Sequence, residues 1–184
     1  MQLISHRSVP ASIEATWAAL NDPETLKACI PGCESVERTS DHEFKMAMTA
    51  RVGPVSAKFN GKIALSDVVP PSSYRMSFEG QGGAAGFARG EAKVALVAED
   101  GGTRIDYSAT AQVGGKLAQV GSRLIDAAAS KVADDFFGRL VERLGGEARP
   151  AKPPAAVPTR GVGWRLVIAV AIIVAVALYW LWRR

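Results

Sequence analysis

The chain is poor in the side chains that carry out chemistry. Its 184 residues include two histidines and two cysteines. His6 and His42 stand apart in polar, turn-like sequence, and neither has a cysteine or an acidic cluster beside it at a ligand spacing. Cys29 and Cys33 make one C-x-x-x-C pair without a second, so a zinc ribbon is excluded and a metal site is not expected. Two small, semi-buried residues near a helix end are the expected role for this pair. No phosphate-binding loop is present: the glycine run from Gly80 to Gly90 lacks the Lys-Ser/Thr ending and precedes a strand. Asp134 and Asp135 are neighbours, but on a helix adjacent side chains diverge by about 100°, so they do not share one site. An enzyme is therefore not the expectation.

A basic folded module is also missing. Residues 1–145 hold 16 Lys and Arg against 17 Asp and Glu, while residues 146–184 hold six against Glu147 alone. The overall charge of +4 thus belongs to the C-terminal segment. This excludes nucleic acid as a partner of the domain and favours anionic headgroups near the tail. Residues 1–20 contain Arg7, Pro10 and Glu14 and no continuous apolar core, so no secretory signal is expected. The expected location of the N-terminal domain is the cytoplasm, where free thiols persist.

The tail is where apolar sequence concentrates. Residues 166–182 are 17 consecutive residues without a charge. As a helix they would span about 26 Å, close to a bilayer's hydrocarbon thickness of roughly 30 Å. Trp164 at one end and Tyr179, Trp180 and Trp182 at the other are placed as interfacial anchors, with Arg165, Arg183 and Arg184 at the headgroups. The expected organisation is a folded domain over 1–145, a Pro-rich linker over 146–163, and a transmembrane anchor over 164–184 in the cytoplasmic membrane. Pro150, Pro153, Pro154 and Pro158 punctuate the linker, which could reach about 50 Å when extended.

Within the domain the hydrophobic period changes twice. Residues 2–9 read as a strand. Ile13, Trp17 and Leu20 share one helical face, and Asn21-Asp22-Pro23 starts a second short helix. Then alternation takes over. Phe44, Met46 and Met48, then Val55 to Leu65, Tyr74 to Phe78, Ala92 to Leu96, and Ile105 to Val113 each place apolar residues at every second position. Turn-like breaks at Gly53-Pro54, Pro70-Pro71 and Asp100-Gly101-Gly102 make these hairpins of an antiparallel meander of about six strands. From Gly114-Gly115 to about Leu144 the period returns to that of a helix, through Leu117, Val120, Leu124, Ala128, Val132, Phe136 and Leu140, with Gly145-Gly146 as its stop.

An antiparallel sheet with one dry face needs a cover, and the last helix alone is long enough. The fold expected is α+β, a sheet wrapped on a long C-terminal helix. The nearly bulk-free stretch from Gly80 to Gly90 fits either a bulged strand pair with close packing or a wall kept clear for a ligand. The candidates to line a space are Phe44, Met46, Met48, Phe59, Met76, Phe78, Ala84, Ala85, Phe87 and Tyr107 on the sheet side, and Leu117, Val120, Leu124 and Phe136 on the helix. Each also fits plain core. A tryptophan at position 85 is expected to fill the space.

Four strings carry a family resemblance: Trp17-Ala-Ala-Leu-Asn-Asp-Pro23, Leu26-Lys-Ala-Cys-Ile-Pro-Gly-Cys33-Glu34, Gly80-Gln-Gly-Gly-Ala-Ala-Gly-Phe87, and residues 111–126. Over residues 1 to about 145 the chain resembles the carbon monoxide dehydrogenase G-subunit family of the START-like (SRPBCC) helix-grip superfamily. The resemblance implies a helix-grip domain with a hydrophobic cavity. It also implies association with aerobic molybdenum carbon monoxide dehydrogenase or a related molybdenum hydroxylase, recruitment of that enzyme to the membrane, and a link to the respiratory quinone pool. Two functions follow as expectations. One is a carrier of menaquinone or ubiquinone; the other is an adaptor that docks the enzyme without carrying a ligand. The exposed turns near Gly83–Gly86 and Gly114–Lys116 are candidates for the enzyme-facing surface.

Overall fold

The structure is a computed structural model and describes residues 2–145. The expected linker and anchor, including Trp164, Arg165, Tyr179, Trp180, Trp182, Arg183 and Arg184, lie outside the described residues. Among the described residues no helix is long and apolar enough to cross a membrane.

The chain runs through β1 (Gln2–Val9), α1 (Ile13–Asn21), α2 (Pro23–Cys29), β2 (Cys33–Ser40), β3 (Glu43–Val52), β4 (Val55–Val69) and β5 (Ser73–Gln81). A 3-10 turn at Gly83–Ala85 leads to β6 (Phe87–Glu99), β7 (Gly102–Gly114), α3 (Lys116–Gln119) and α4 (Ser122–Arg143). One seven-stranded antiparallel sheet results, in the order β1-β7-β6-β5-β4-β3-β2. Each consecutive pair from β2 to β7 is a hairpin, and β1 joins the far side of β7. The turns therefore alternate between two ends. Residues 53–54, 82–86 and 114–116 form the end where α4 begins. Residues 41–42, 70–72 and 100–101 form the end where it finishes.

The apolar alternation sets which side chains meet α4. The cross-strand register aligns Phe44, Ile63, Phe78, Gly90 and Ala111 in one inner row. The next row towards the finishing end is Leu65, Met76, Ala92, Ala109 and Leu3. Beyond it the inner face fills up. Val9, Leu96 and Ile105 pack with Leu20 and Cys29 from α1 and α2 and with Phe137, Leu140 and Val141 from α4. Leu140 is fully buried. A second, smaller core at the starting end joins Phe59, Ala85 and Leu117, with Met48, Val52, Val55 and Val113 packed against it.

Capping explains the two short helices. The Ser12 hydroxyl accepts from the Ala15 N–H at 3.2 Å and opens α1. Asp22 does the same for α2, accepting from the Thr25 N–H at 2.9 Å and its hydroxyl at 2.6 Å, with Pro23 in the first helical turn. The Arg143 Nε donates to the Thr25 hydroxyl at 3.2 Å, so the α2 cap also holds the end of α4.

One sequence expectation needs correction, and one strand escapes the alternating pattern. The stretch from Gly115 to Leu144 is not one helix, because Gly121 adopts φ +91°, a positive-φ conformation that a side chain resists, and separates α3 from α4. Leu117, Val120 and Leu124 nevertheless keep helical spacing across that break, which hides it from a periodicity argument. The strand β2 is also absent from the alternating rows, since Val36 is its one buried residue.

The α2 cap yields a stability test. Hydrogen bonds from Thr25 hold the Asp22 carboxyl below its ordinary range. A carboxylate depressed in the folded state stabilises above its unfolded pKa, and this stabilisation disappears as pH falls through the lower, folded value. Asp22→Ala should cost about 1 kcal/mol in urea unfolding at neutral pH. That deficit should shrink below about pH 4, where the wild-type carboxylate is also being protonated.

Candidate functional site

The space that could take a ligand is defined by what the two cores leave between them. The rows of Phe44 and Leu65 lie between the first core and the second, and their small members, Gly90, Ala92, Ala109 and Ala111, fall on β6 and β7. The large members Ile63, Leu65, Met76 and Phe78 are only half-buried, as is Met46 in the adjoining row, although all alternate towards the inner face. The covering helix matches this gap: no side chain of α4 before Phe137 is buried. Leu124 is 48% exposed and Val132 40%. The helix is seated by its second half, while in its first half Ile125, Ala128, Ala129 and Ala133 are only half-buried.

The candidates from the sequence fall into separate groups. Phe44, Met46, Met76 and Phe78 stand in or beside this middle belt. Met48, Phe59, Ala85 and Leu117 belong to the second core. Tyr107 stacks on Phe137 with ring centroids 5.0 Å apart, and Phe136 meets Phe137 edge-on at 5.1 Å, so both belong to the first core. Val120 is half-buried between α3 and α4. Leu124 sits over the β3–β4 turn, 3.4 Å from where a Cβ on Gly53 would stand.

Three candidates are misplaced by the sequence. Phe87 is on the outer face: it pairs with Gln81 and Gly114, shares its side with Arg89, and its ring fills the place a Gly114 side chain would take. The Arg89 guanidinium lies 5.7 Å from that ring. Ala84 is exposed at the tip of the 3-10 turn, and Ala85 is buried against Phe59 and Leu117. A tryptophan at 85 would disrupt the second core before it filled any ligand space. Ile63, Leu65, Ala92 and Ala109, by contrast, are belt residues the lining set omits; their alternation with Lys62, Ala64, Lys93 and Ser108 is the signal for them.

The glycine run is explained chiefly by packing. A Cβ on Gly82 would stand 2.5 Å from the Phe59 ring, one on Gly90 2.6 Å from Phe78 and 2.1 Å from the Thr110 carbonyl. Gly86 and Gly114 bring two backbones together, a Gly86 Cβ falling 1.9 Å from the Gly114 carbonyl oxygen. Aromatic rings and carbonyls therefore occupy the places that side chains would need.

Charge enters the inner side from two arginines among the described residues: Arg38 of β2, whose guanidinium lies 5.1 Å over the Phe44 ring, and Arg7 of β1. Arg7 has a side chain only 16% exposed and pairs with Asp134 on α4. It also donates to the Ser5 hydroxyl and to the His6 carbonyl, each at 2.8 Å. Asp135 pairs instead with Lys131 at 3.0 Å, so the two adjacent carboxylates do serve different cations. Both histidines are exposed. Cys29 is buried in the first core and Cys33 is half-buried; burial pushes both thiols up. Among the described residues no group of three or more His, Cys, Asp or Glu could hold a metal ion.

The outer face offers a different surface. A trough of about 860 Å³ crosses it, floored by the backbone of Phe44, Ile63, Phe78 and Gly90 and walled by Glu43, Lys45, Lys62, Glu79, Arg89 and Glu91. Its walls are charged and of mixed sign, which suits solvent better than an apolar ligand.

A single antiparallel sheet folded against one long C-terminal helix is the START-like, helix-grip class. Solved structures agree. A conserved protein from Geobacillus kaustophilus is similar with TM-score 0.73 and 29% identity, over 78% of this chain and 95% of that one. A START superfamily protein from Mycobacterium smegmatis gives TM-score 0.58 and 15% identity, over 78% and 96%. A protein from Thermus thermophilus gives 0.59 and 20%, over 78% and 97%. The latter two share the fold. Residues 6–145 match the carbon monoxide dehydrogenase G-subunit family (CoxG), and the chain belongs to that family. No curated protein sequence matches it.

The ring-on-glycine packing gives a paired test. Gly90→Ala should destabilise by about 1–3 kcal/mol, because the methyl has no room. Gly80→Ala, whose Cβ would have its nearest neighbours at 3.9 Å, should leave the urea midpoint nearly unchanged.

Proposed function

We propose that this protein is a non-catalytic accessory that carries a respiratory quinone and tethers a molybdenum carbon monoxide dehydrogenase, or a related molybdenum hydroxylase, to the cytoplasmic membrane. Family membership supports the enzyme as partner. The observation that carries the ligand reading is the divided inner face, where half-buried Ile63, Met76 and Phe78 face a helix whose first half has no fully buried side chain. Half-buried apolar side chains beside alanine and glycine are a surface that an apolar ring and an isoprenoid tail would cover. Met46 and Met76 adapt readily to an irregular ligand. The tethering half rests on the apolar run at 166–182 and the Pro-rich segment before it. Together they would hold the domain near the quinone pool and raise the local concentration of its partner there.

Two measurements separate carriage from tethering. Full-length protein purified from quinone-replete membranes should yield menaquinone or ubiquinone on organic extraction. Ala92→Phe, which fills the middle belt, should lose most of that quinone while keeping a cooperative melt. An empty wild-type extract, or an unchanged one from the variant, would refute the ligand reading. Deleting residues 147–184 should release the dehydrogenase from the membrane fraction; an enzyme that stays behind would refute tethering while leaving carriage intact.

A further inference from the structure

The two ends of the sheet differ in charge. At the finishing end the turns 40–43, 69–73 and 99–102 contain Asp41, Glu43, Glu99 and Asp100, while Arg104 beside them and Arg139 and Arg143 in the last turns of α4 add positive charge. At the starting end, residues 51–55, 82–86 and 114–124 contain Arg51, Lys116 and Arg123 and no carboxylate; Asp126 is the next one along α4. All three cations are exposed and none is in an ion pair among the described residues, whereas Glu99 at the other end pairs with Arg104. Between the cations the surface is small or apolar. Gly53, Pro54, Gly83 and Ala84 are exposed at the turn tips, and Leu124 is 48% exposed beside them.

We propose that this starting end is a docking face for an anionic bilayer, formed by the Gly53-Pro54 turn, the Gly83–Ala85 turn, α3 and the first turn of α4. Three unpaired cations around small and apolar tips match a layer of negative headgroups over hydrocarbon. The finishing end carries charge of both signs and lacks such a set of unpaired cations, so the charge asymmetry favours approach by the starting end. Chain length permits the approach. The described residues finish at Gly145, at the opposite end, and residues 146–165 are 20 residues that span at most about 70 Å. The 22-residue α4 is about 33 Å long, so a chain leaving one end has the length to pass the whole domain and leave the other end against the bilayer. The proposal rests on the membrane-tethered reading and adds the orientation. It assigns the turns at 83–86 and 114–116 to lipid and leaves the enzyme to bind elsewhere.

Amine acylation of the full-length chain in vesicles, read by mass spectrometry, tests it. In phosphatidylcholine vesicles containing roughly one-third phosphatidylglycerol, enough to set a negative surface potential, Lys116 should be acylated several-fold more slowly than in pure phosphatidylcholine. Lys62 on the outer face should react equally in both. High salt should abolish the difference. Arg51→Glu with Arg123→Glu should remove the protection of Lys116. Each cation near an anionic surface contributes about fivefold to association, so two losses alone amount to a factor of about 25. Equal acylation of Lys116 in both vesicle types would overturn the proposal, as would protection independent of lipid charge, which would point to a second copy covering this end. Flotation distinguishes the two layers of the argument. A chain that floats with neutral vesicles but leaves Lys116 unprotected by anionic lipid retains its anchor and loses the orientation. One that floats with anionic vesicles alone loses the anchor and keeps the docking face, and one that floats with neither loses both.

Discussion

Beyond the corner held by α1 and α2, the inner face of the sheet has one long cover, α4, and that cover is fastened at one end. Leu140 of α4 sits fully buried among Val9, Leu96 and Ile105, with Phe137 and Val141 on either side. Burial of a leucine of this kind is worth about 1.5–3 kcal/mol, and three such residues within two turns fix the axis of the helix there. The contact from Arg143 to Thr25 and the pair between Arg7 and Asp134 then fix its rotation. Nothing comparable grips Ser122 to Ala133 among the described residues. A helix seated along its entire length would have joined the two cores into one, with no apolar surface left between them.

The same division explains the distribution of polar groups. Arg7 belongs to the inner alternation of β1, yet its guanidinium reaches the exposed Asp134 at the rim. The charge remains near water while its stem covers apolar surface, including the Phe137 ring 6.0 Å away. On the outer side, positions 43, 45, 62, 79, 89 and 91 carry charge of both signs, as expected where the sheet faces solvent. Small residues were thus placed selectively on the inner rows of β6 and β7, while bulk stayed on β3 to β5.

Most of the sheet was legible because alternation reports burial directly. Phe44 to Ala50 and Ile105 to Val113 alternate without a break, and both are strands with those residues inside. Legibility failed where a residue's type and its neighbours disagree. Cys33 to Ser40 is polar almost throughout because β2 is an edge strand at the sheet's limit, so it shows little alternation. Phe87 looked like an inner residue because it is aromatic, although Ala88 and Gly90 already define the inner set on β6. The helical stripe from Leu117 to Leu140 steps through Val132 and Phe136, yet the buried residues are Phe137, Leu140 and Val141. Three-and-four spacing admits a small rotation, and over several turns that rotation exchanged Phe136 for Phe137. The glycines could not be read from sequence at all, since what occupies the place of a missing side chain is a ring or a carbonyl far along the chain.

The strand order also has a meaning in time. Six strands join by consecutive hairpins, each closing a short loop, so the sheet from β2 to β7 can grow as the chain is made. Strand β1 is the exception, because it hydrogen-bonds to β7 alone, with Gln2 opposite Thr110. Its second attachment, from Arg7 to Asp134, lies later still. Residues 2–9 precede the other strands yet are among the last to find their partners, and until then Leu3 on the inner face remains uncovered. Closing a loop of about a hundred residues carries a larger entropic cost than closing any of the hairpins, so formation of this edge comes late and its loss on unfolding comes early.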